Sequence, residues 1–349
     1  MAIFNNLFND IGVDLGTANC LIYVKGKGIL INEPSVAAIN TKTNQILAVG
    51  EEAKKMLGRT PQHINVVRPL VGGVISDFEM SREMLRSFLK KLNQQNIGKW
   101  GFRKAIVAIP NDLTEVERKS AEDAAISAGC SNVYLVESPI VAALGAGLNI
   151  SDPEASLIVD IGGGTTDIAV ISMNGIVASK TLKIAGDRFN EEIIKFIRDE
   201  FKLVIGDLTA EYIKIAIGSA LPLDEKLEIV VRGRDLSTGL PKEIIIKNSQ
   251  IRIVLARLLK QIIESIIEVI EQTPPELVGD MLSKGIFLCG GGAMLRGLDE
   301  AIKRELGIDA KIVEEPLMCV GRGLGKIIDN FENYKNIVAN FSLPPQINL

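Results

Sequence analysis

An aspartate closing an apolar run, a turn of very small residues and a second apolar run occur twice in this chain. The first copy is Ile11-Gly-Val-Asp14-Leu15-Gly16-Thr17-Ala18-Asn19-Cys20, running into Leu21-Ile-Tyr-Val24. The second is Leu157-Ile-Val-Asp160-Ile161-Gly162-Gly163-Gly164-Thr165-Thr166, running into Asp167-Ile-Ala-Val-Ile171. The two aspartates stand 146 residues apart, and Leu15 and Gly16 match Ile161 and Gly162 in layout. Each copy reads as two buried strands joined by a tight turn. Consecutive glycines lose much backbone entropy on ordering, which an ordinary hairpin has no reason to accept. They leave a bare backbone whose N–H groups, flanked by hydroxyls, can form a concave anion site. The aspartate at the strand end could hold a divalent cation through water. Either copy alone is equally a plain glycine-rich hairpin. Their recurrence implies an internal duplication and two similar lobes, whose turns could clasp one polyphosphate.

A third strand-to-glycine turn, Gly285-Ile-Phe-Leu-Cys289-Gly290-Gly291-Gly292-Ala293, follows later. Between these landmarks the chain alternates buried strands and helices. Residues 105–109 form a strand stopped by Pro110, and residues 114–129 a helix with a capping box from Thr114 and Glu117 and a stop at Gly129. Residues 133–136 lead into Glu137-Ser138-Pro139, with the proline in the first turn of a helix. Residues 251–270 carry a long apolar stripe ended by Pro274-Pro275, which marks a core helix. At 349 residues, such a chain fits two lobes rather than one small core.

Composition limits the function. A net charge of −4 lacks the basic footprint of a nucleic-acid binder. The four cysteines, Cys20, Cys130, Cys289 and Cys319, lie far apart without metal-ligand spacing, as expected for core residues in a reducing cytosol. The single histidine, His63, excludes a multi-histidine metal site. Residues 1–10 lack the features of a signal peptide and no run reaches the ~18–20 apolar residues of a membrane span, so a cytoplasmic location is expected. A mean hydropathy of +0.23 hints at surface covered in an oligomer or at a membrane. Two segments fit the latter. Ile3, Phe4, Leu7 and Phe8 line one face of a short N-terminal helix, either a strap on the core or an interfacial anchor. Trp100 stands between glycines, beside Ile97 and Phe102, in what reads as a loop contacting lipid or a partner.

Taken together, Asp14-Leu-Gly-Thr-Ala-Asn19, Asp160-Ile-Gly-Gly-Gly-Thr-Thr166 and Cys289-Gly-Gly-Gly-Ala293 resemble the two phosphate loops and the adenosine loop of the actin, sugar-kinase and heat-shock-chaperone ATPase superfamily. Within it the chain is similar nearly end to end to the MreB family of bacterial actins. Glu33-Pro-Ser-Val36, Gly58-Arg-Thr-Pro61, Gly73-Val-Ile75, Leu236-Ser-Thr-Gly-Leu-Pro241, Thr273-Pro-Pro-Glu-Leu277 and Leu295-Arg-Gly-Leu298 carry that likeness. It implies an α/β, actin-like fold of two duplicated lobes, with mixed sheets flanked by helices and a nucleotide cleft between them. Lobe I would span residues 1–145 with an insertion at about 34–77, completed by a C-terminal helix at about 325–349. Lobe II would span 146–324 with an insertion at about 185–250.

The resemblance also implies ATP or ADP with Mg²⁺ as ligands. Thr17, Ala18 and Asn19, with Cys20 beside them, would face the phosphates, opposite Gly162, Gly163 and Gly164. Asp14 and Asp160 would organise Mg²⁺ and its waters. Glu211 and Lys214 would flank the adenosine, with Gly290, Gly291, Gly292 and Ala293 beneath it. Head-to-tail filaments on the inner face of the membrane would follow, with Val116 near a lateral contact. Other members of the family or membrane-protein adaptors are further candidate partners. Two rivals are a small-molecule phosphotransferase and a nucleotide-sensing scaffold that does not polymerise.

Two positions depart from the family. Cys20 replaces a usual threonine. More consequential is Ser138, where the family pattern Glu-Glu-Pro has the glutamate that polarises the attacking water. Glu137 is one residue away, about 100° around a helix, and cannot simply substitute. Thr165, which helps orient the same water in the family, is retained. Intact ATP binding with slow hydrolysis is the expectation.

Overall fold

In the computed structural model, which describes residues 9–95, 97 and 101–338, the duplicated motif forms an antiparallel hairpin in each of two units. The first unit comprises residues up to Asp152, the segment Met173–Gly175 and residues from Met318 onward. The second comprises Pro153–Ser172 and Ile176–Leu317. Residues 146–152 and the whole helix Cys319–Asp329 therefore group with the first unit, a small shift from the expected boundaries.

Each unit is built on a five-stranded sheet of the same plan. In the first, the spatial order is Cys130–Glu137, Phe102–Ile109, Asn9–Leu15, Asn19–Val24, Gly28–Pro34. In the second it is Ala310–Ile312, Ile286–Cys289, Ser156–Ile161, Thr166–Ser172, Gly175–Leu182. In both, the first hairpin strand sits centrally, with its antiparallel partner on one side and parallel strands on the other. The parallel partners arrive by crossover connections that place helices against the sheet. Continuous apolar runs rather than alternating ones fit strands buried on both faces.

Each unit has its own core, one around Ile11, Val13, Phe88 and Val107, the other around Val159, Val170, Phe189 and Leu288. The helix Asn248–Glu271 buries Ile251, Leu255, Leu258, Ile262, Ile266 and Val269 in the second core. Separate three-stranded sheets form the insertions: Ala37–Asn40, Gln45–Val49 and Ile64–Val67 in the first unit, Leu203–Val204, Glu228–Asp235 and Pro241–Lys247 in the second. The helix Glu115–Ala128 has the predicted capping box from Thr114 and Glu117, and ends on Gly129 at φ 119°.

Ile97 and Phe102 correct the sequence reading. Both are buried in the first core rather than available to lipid. Phe102 opens a central strand and pairs with Asn9 and Cys130 across both of its neighbours, so its side chain has a core to enter. Trp100 and residues 1–8 lie outside the described residues. Among the described residues, the C-terminal part holds the helix Cys319–Asp329, the short helix Phe331–Tyr334 and the turn Lys335–Ile337. Phe331 lies under the Lys104 ammonium and edge-on to Tyr134, which anchors this part to the sheet.

The helix Cys319–Asp329 crosses Ser138–Gly145 at backbone contact. A Cβ on Gly323 would overlap the Val141 carbonyl oxygen, and one on Gly145 the Cys319 carbonyl oxygen. Alanine gains about 1 kcal/mol over glycine in an unobstructed helix. Here the overlap with main chain dominates, so Gly323→Ala is expected to destabilise by roughly 1–3 kcal/mol, read from urea unfolding.

Candidate functional site

In the first unit, Asp14 and Cys20 flank the turn between the hairpin strands. Gly16 is required there because a Cβ would meet the Asn19 carbonyl oxygen at 2.5 Å. The turn rests on Ser35, a fully buried residue to which the sequence reading gives no role at the turn. Its hydroxyl donates to the Gly16 carbonyl at 2.6 Å and its N–H to the Ala18 carbonyl at 2.9 Å. These bonds hold the turn from behind while Ala18 stays exposed. Thr17 is buried, and its hydroxyl accepts from the Gly73 N–H at 2.9 Å, which ties the turn to the insertion hairpin. Asn19 donates to Asn32 at 3.5 Å. Cys20 is a correction. Its side chain is fully buried, and burial, with Asp14 and Glu33 nearby, pushes its thiol pKa far up. It fills the core rather than touching a ligand.

Glu137 precedes the helix Ser138–Gly145, with Pro139 in the first turn. Its carboxylate pairs with Arg118 at 3.5 Å, and the same guanidinium donates to the carbonyls of Asn111 at 2.9 Å and Leu113 at 3.2 Å. Glu137 is thus engaged with the capped helix, while Ser138 occupies the next position, half-buried.

In the second unit, the Gly162–Thr165 turn closes through the Gly162 N–H to the Thr165 carbonyl at 2.8 Å. The carbonyls of Gly162 and Gly163 accept from the N–H groups of Gly186 and Asp187, at 3.2 and 2.8 Å. The N–H groups of Gly163 and Gly164 have no backbone partner among the described residues, the arrangement an anion cradle needs. Lys214 reaches the same place, its ammonium donating to the Gly186 carbonyl at 2.8 Å. Glu211 lies half-buried on the same helix, Asp207–Ile217, one turn earlier.

The third glycine turn packs directly on the second. Gly290 has φ 79°, and a Cβ there would overlap a carboxylate oxygen of Asp160 and the Ile161 carbonyl. Gly292 lies equally close to Ile161. Ala293 is buried in the core beneath the turn, so its side chain supports the turn and does not line it.

Asp160 faces Asp167 across the hairpin ladder. Asp167, which the sequence reading did not single out, is buried and accepts from the hydroxyls of Thr165 at 3.1 Å and Thr181 at 2.5 Å. Its signal was the register: a residue as far beyond the glycine turn as Asp160 is before it. Burial first, and the Asp167 charge second, push the Asp160 pKa from the usual 3.8 to about 7, against the pull of a Cys289 hydrogen bond. Between those values the folded chain holds a proton that the unfolded chain has released. Stability contributed by this group therefore falls as pH rises through that window. Asp160→Asn should raise the melting temperature of the ligand-free protein at pH 8 and leave it unchanged at pH 4.

No cluster of three or more acidic, cysteine or histidine side chains that could hold a metal by themselves occurs among the described residues. A cation here would share its shell with water and phosphate, which suits single aspartates at strand ends. The glycine-floored turns and the neighbouring lysine suit a polyphosphate, so the residues present fit a nucleotide with its cation.

Residues 8–336 match the family described as MreB/Mbl protein. The chain is 46% identical over 323 residues to the cell shape-determining protein Mbl of Bacillus subtilis, covering 93% of this chain and 96% of that one. Identity to the cell shape-determining protein MreB of Escherichia coli is 46% over 331 residues, 93% of this chain and 95% of that one. Among solved structures, MreB5 of Spiroplasma citri bound to AMPPNP aligns with a TM-score of 0.89 at 41% identity, over 94% of this chain and 98% of that one. The MamK double helical filament, at 22% identity and a TM-score of 0.77 over 91% of this chain and 98% of that one, shares the fold. Matched over nearly its whole length in sequence and in structure, the chain belongs to the MreB/Mbl protein family.

Proposed function

We propose that this chain binds ATP with Mg²⁺ and assembles head to tail into membrane-associated filaments that govern cell shape, hydrolysing its nucleotide slowly. The observation that carries the nucleotide reading is the docking of Gly290 against Asp160 beside the Gly162–Thr165 turn. It brings the third glycine turn, the second and an aspartate into one place. The solved Spiroplasma citri relative holds AMPPNP, and in a second structure ADP. In this chain Gly163 and Gly164 would offer backbone donors to phosphate, with Lys214 adding positive charge nearby. Asp14 and Asp160 would hold the waters of the cation. When bound, the cation supplies charge neutralisation at the phosphates. Thr165 would help orient the attacking water, and Ser138, a poor base at neutral pH, would leave that water weakly activated.

Filament formation rests on family membership and on the logic of an open-ended heterologous contact, which produces polymers rather than closed rings. For the membrane, the strands beginning at Asn9 and Phe102 pair with each other at those two residues, and the reading rests on the apolar side chains that precede each of them in sequence. Ile3, Phe4, Leu7, Phe8 and Trp100 would insert shallowly, each copy weakly and a polymer strongly. No helix among the described residues is long and apolar enough to cross a membrane.

Sedimentation with ATP and Mg²⁺, with and without liposomes, tests the reading. Polymer should pellet with nucleotide, and liposomes should co-pellet with polymer. Absence of pelletable polymer under every nucleotide overturns it.

A further inference from the structure

Asp160 and Cys289 are register partners on neighbouring parallel strands, which puts their side chains on one face of the sheet. The fully buried Cys289 donates its thiol hydrogen to the Asp160 carboxylate. The next residue, Gly290, brings main chain against the same carboxylate. The third glycine turn therefore meets Asp160 twice, once through a side chain and once through backbone.

We propose that Cys289 is a positioning residue, holding the Asp160 carboxylate in the orientation that receives the hydrated cation of a bound nucleotide. The inference rests on the nucleotide reading above and extends it to a residue outside the glycine turns. A carboxylate on a strand end can rotate about its terminal bond with little cost. A donor fixed on the adjacent strand removes that freedom and leaves the other lone pairs for water. The chemistry of a thiol suits the task, because it is a neutral, weak donor. A cationic donor in its place would cancel the charge that attracts the metal. The fixed link also makes the strand Ile286–Cys289, which leads into the third glycine turn, and the aspartate of the second hairpin move together.

Binding of a fluorescent ATP analogue to the full chain, in Mg²⁺ and in EDTA, tests this with Cys289→Ala and Cys289→Ser. The alanine variant should weaken Mg²⁺-supported binding by about fivefold, the scale of one modest hydrogen bond, with EDTA affinity unchanged. The serine variant, which restores a donor, should recover most of the loss. A merely structural role would lower both affinities together. An alanine variant whose Mg²⁺-to-EDTA affinity ratio equals the parent's overturns the proposal. So does a serine variant as weak as alanine while melting like the parent. A parent that binds the analogue in neither buffer overturns the nucleotide reading itself, and this assignment with it.

Discussion

Steady-state phosphate release from the polymerised Ser138→Glu variant should exceed that of the parent by about 10²-fold, the lower end of what a general base contributes. That corresponds to roughly 3 kcal/mol of barrier. A departure in sequence and a detail of structure combine to give this expectation. The glutamate that remains, Glu137, is paired with Arg118, whose guanidinium is also bonded to the carbonyls of Asn111 and Leu113. Recruiting Glu137 as a base would break that pair, and its extended backbone, at the end of the strand Cys130–Glu137 and before the helix, does not put its side chain in the place of the Ser138 one. Serine at 138 can hydrogen-bond water but has no proton affinity to use at neutral pH. Nucleotide affinity should stay within about twofold of the parent, because the glycine turns and both aspartates are unchanged. A variant no faster than the parent would mean that another group, or a shifted water, already activates the nucleophile.

For Gly290→Ala the expected result is a loss of nucleotide affinity of about 10²-fold, close to 3 kcal/mol. Two effects add. A φ of 79° is a left-handed conformation that alanine adopts only with strain. The new methyl would also be driven into the Asp160 carboxylate and the Ile161 carbonyl, separating the third turn from the second. Calorimetric titration with ATP and Mg²⁺ measures the affinity, and thermal unfolding reports the accompanying loss of stability. Gly279→Ala is the matched control. That glycine lies inside the helix Pro275–Lys284, and a methyl added there would meet nothing within 4 Å, so affinity should hold and stability should rise slightly. Equal affinities for the parent and Gly290→Ala would show that the third turn takes no part in binding.

Much of the architecture is legible in the sequence because its determinants are local. Apolar runs ending on Asp14 and Asp160, the box formed by Thr114 and Glu117, and the stripe along residues 248–271 all specify conformation through near neighbours. The duplication is legible for the same reason, since two copies of one local pattern become two sheets of one plan.

Ile97 and Phe102 mislead in sequence because glycines around aromatics resemble a surface loop. Only the pairing of the strand Phe102–Ile109 with Asn9–Leu15 and Cys130–Glu137 supplies the core that receives Phe102. Side-chain partners are hidden likewise. Ser35 beneath the first turn, Asp167 opposite Asp160, Arg118 on Glu137 and Cys289 on Asp160 are separated in sequence by 19, 7, 19 and 129 residues. Of these, only the pair within one hairpin leaves a trace in residue order. By itself, then, the sequence determined the twofold strand–turn–strand plan, the glycines that bare the backbone and the serine at position 138. Tertiary structure alone decided which side chains brace those turns and which apolar residues go to the core, because strand register and helix crossing bring together groups that local preference cannot connect.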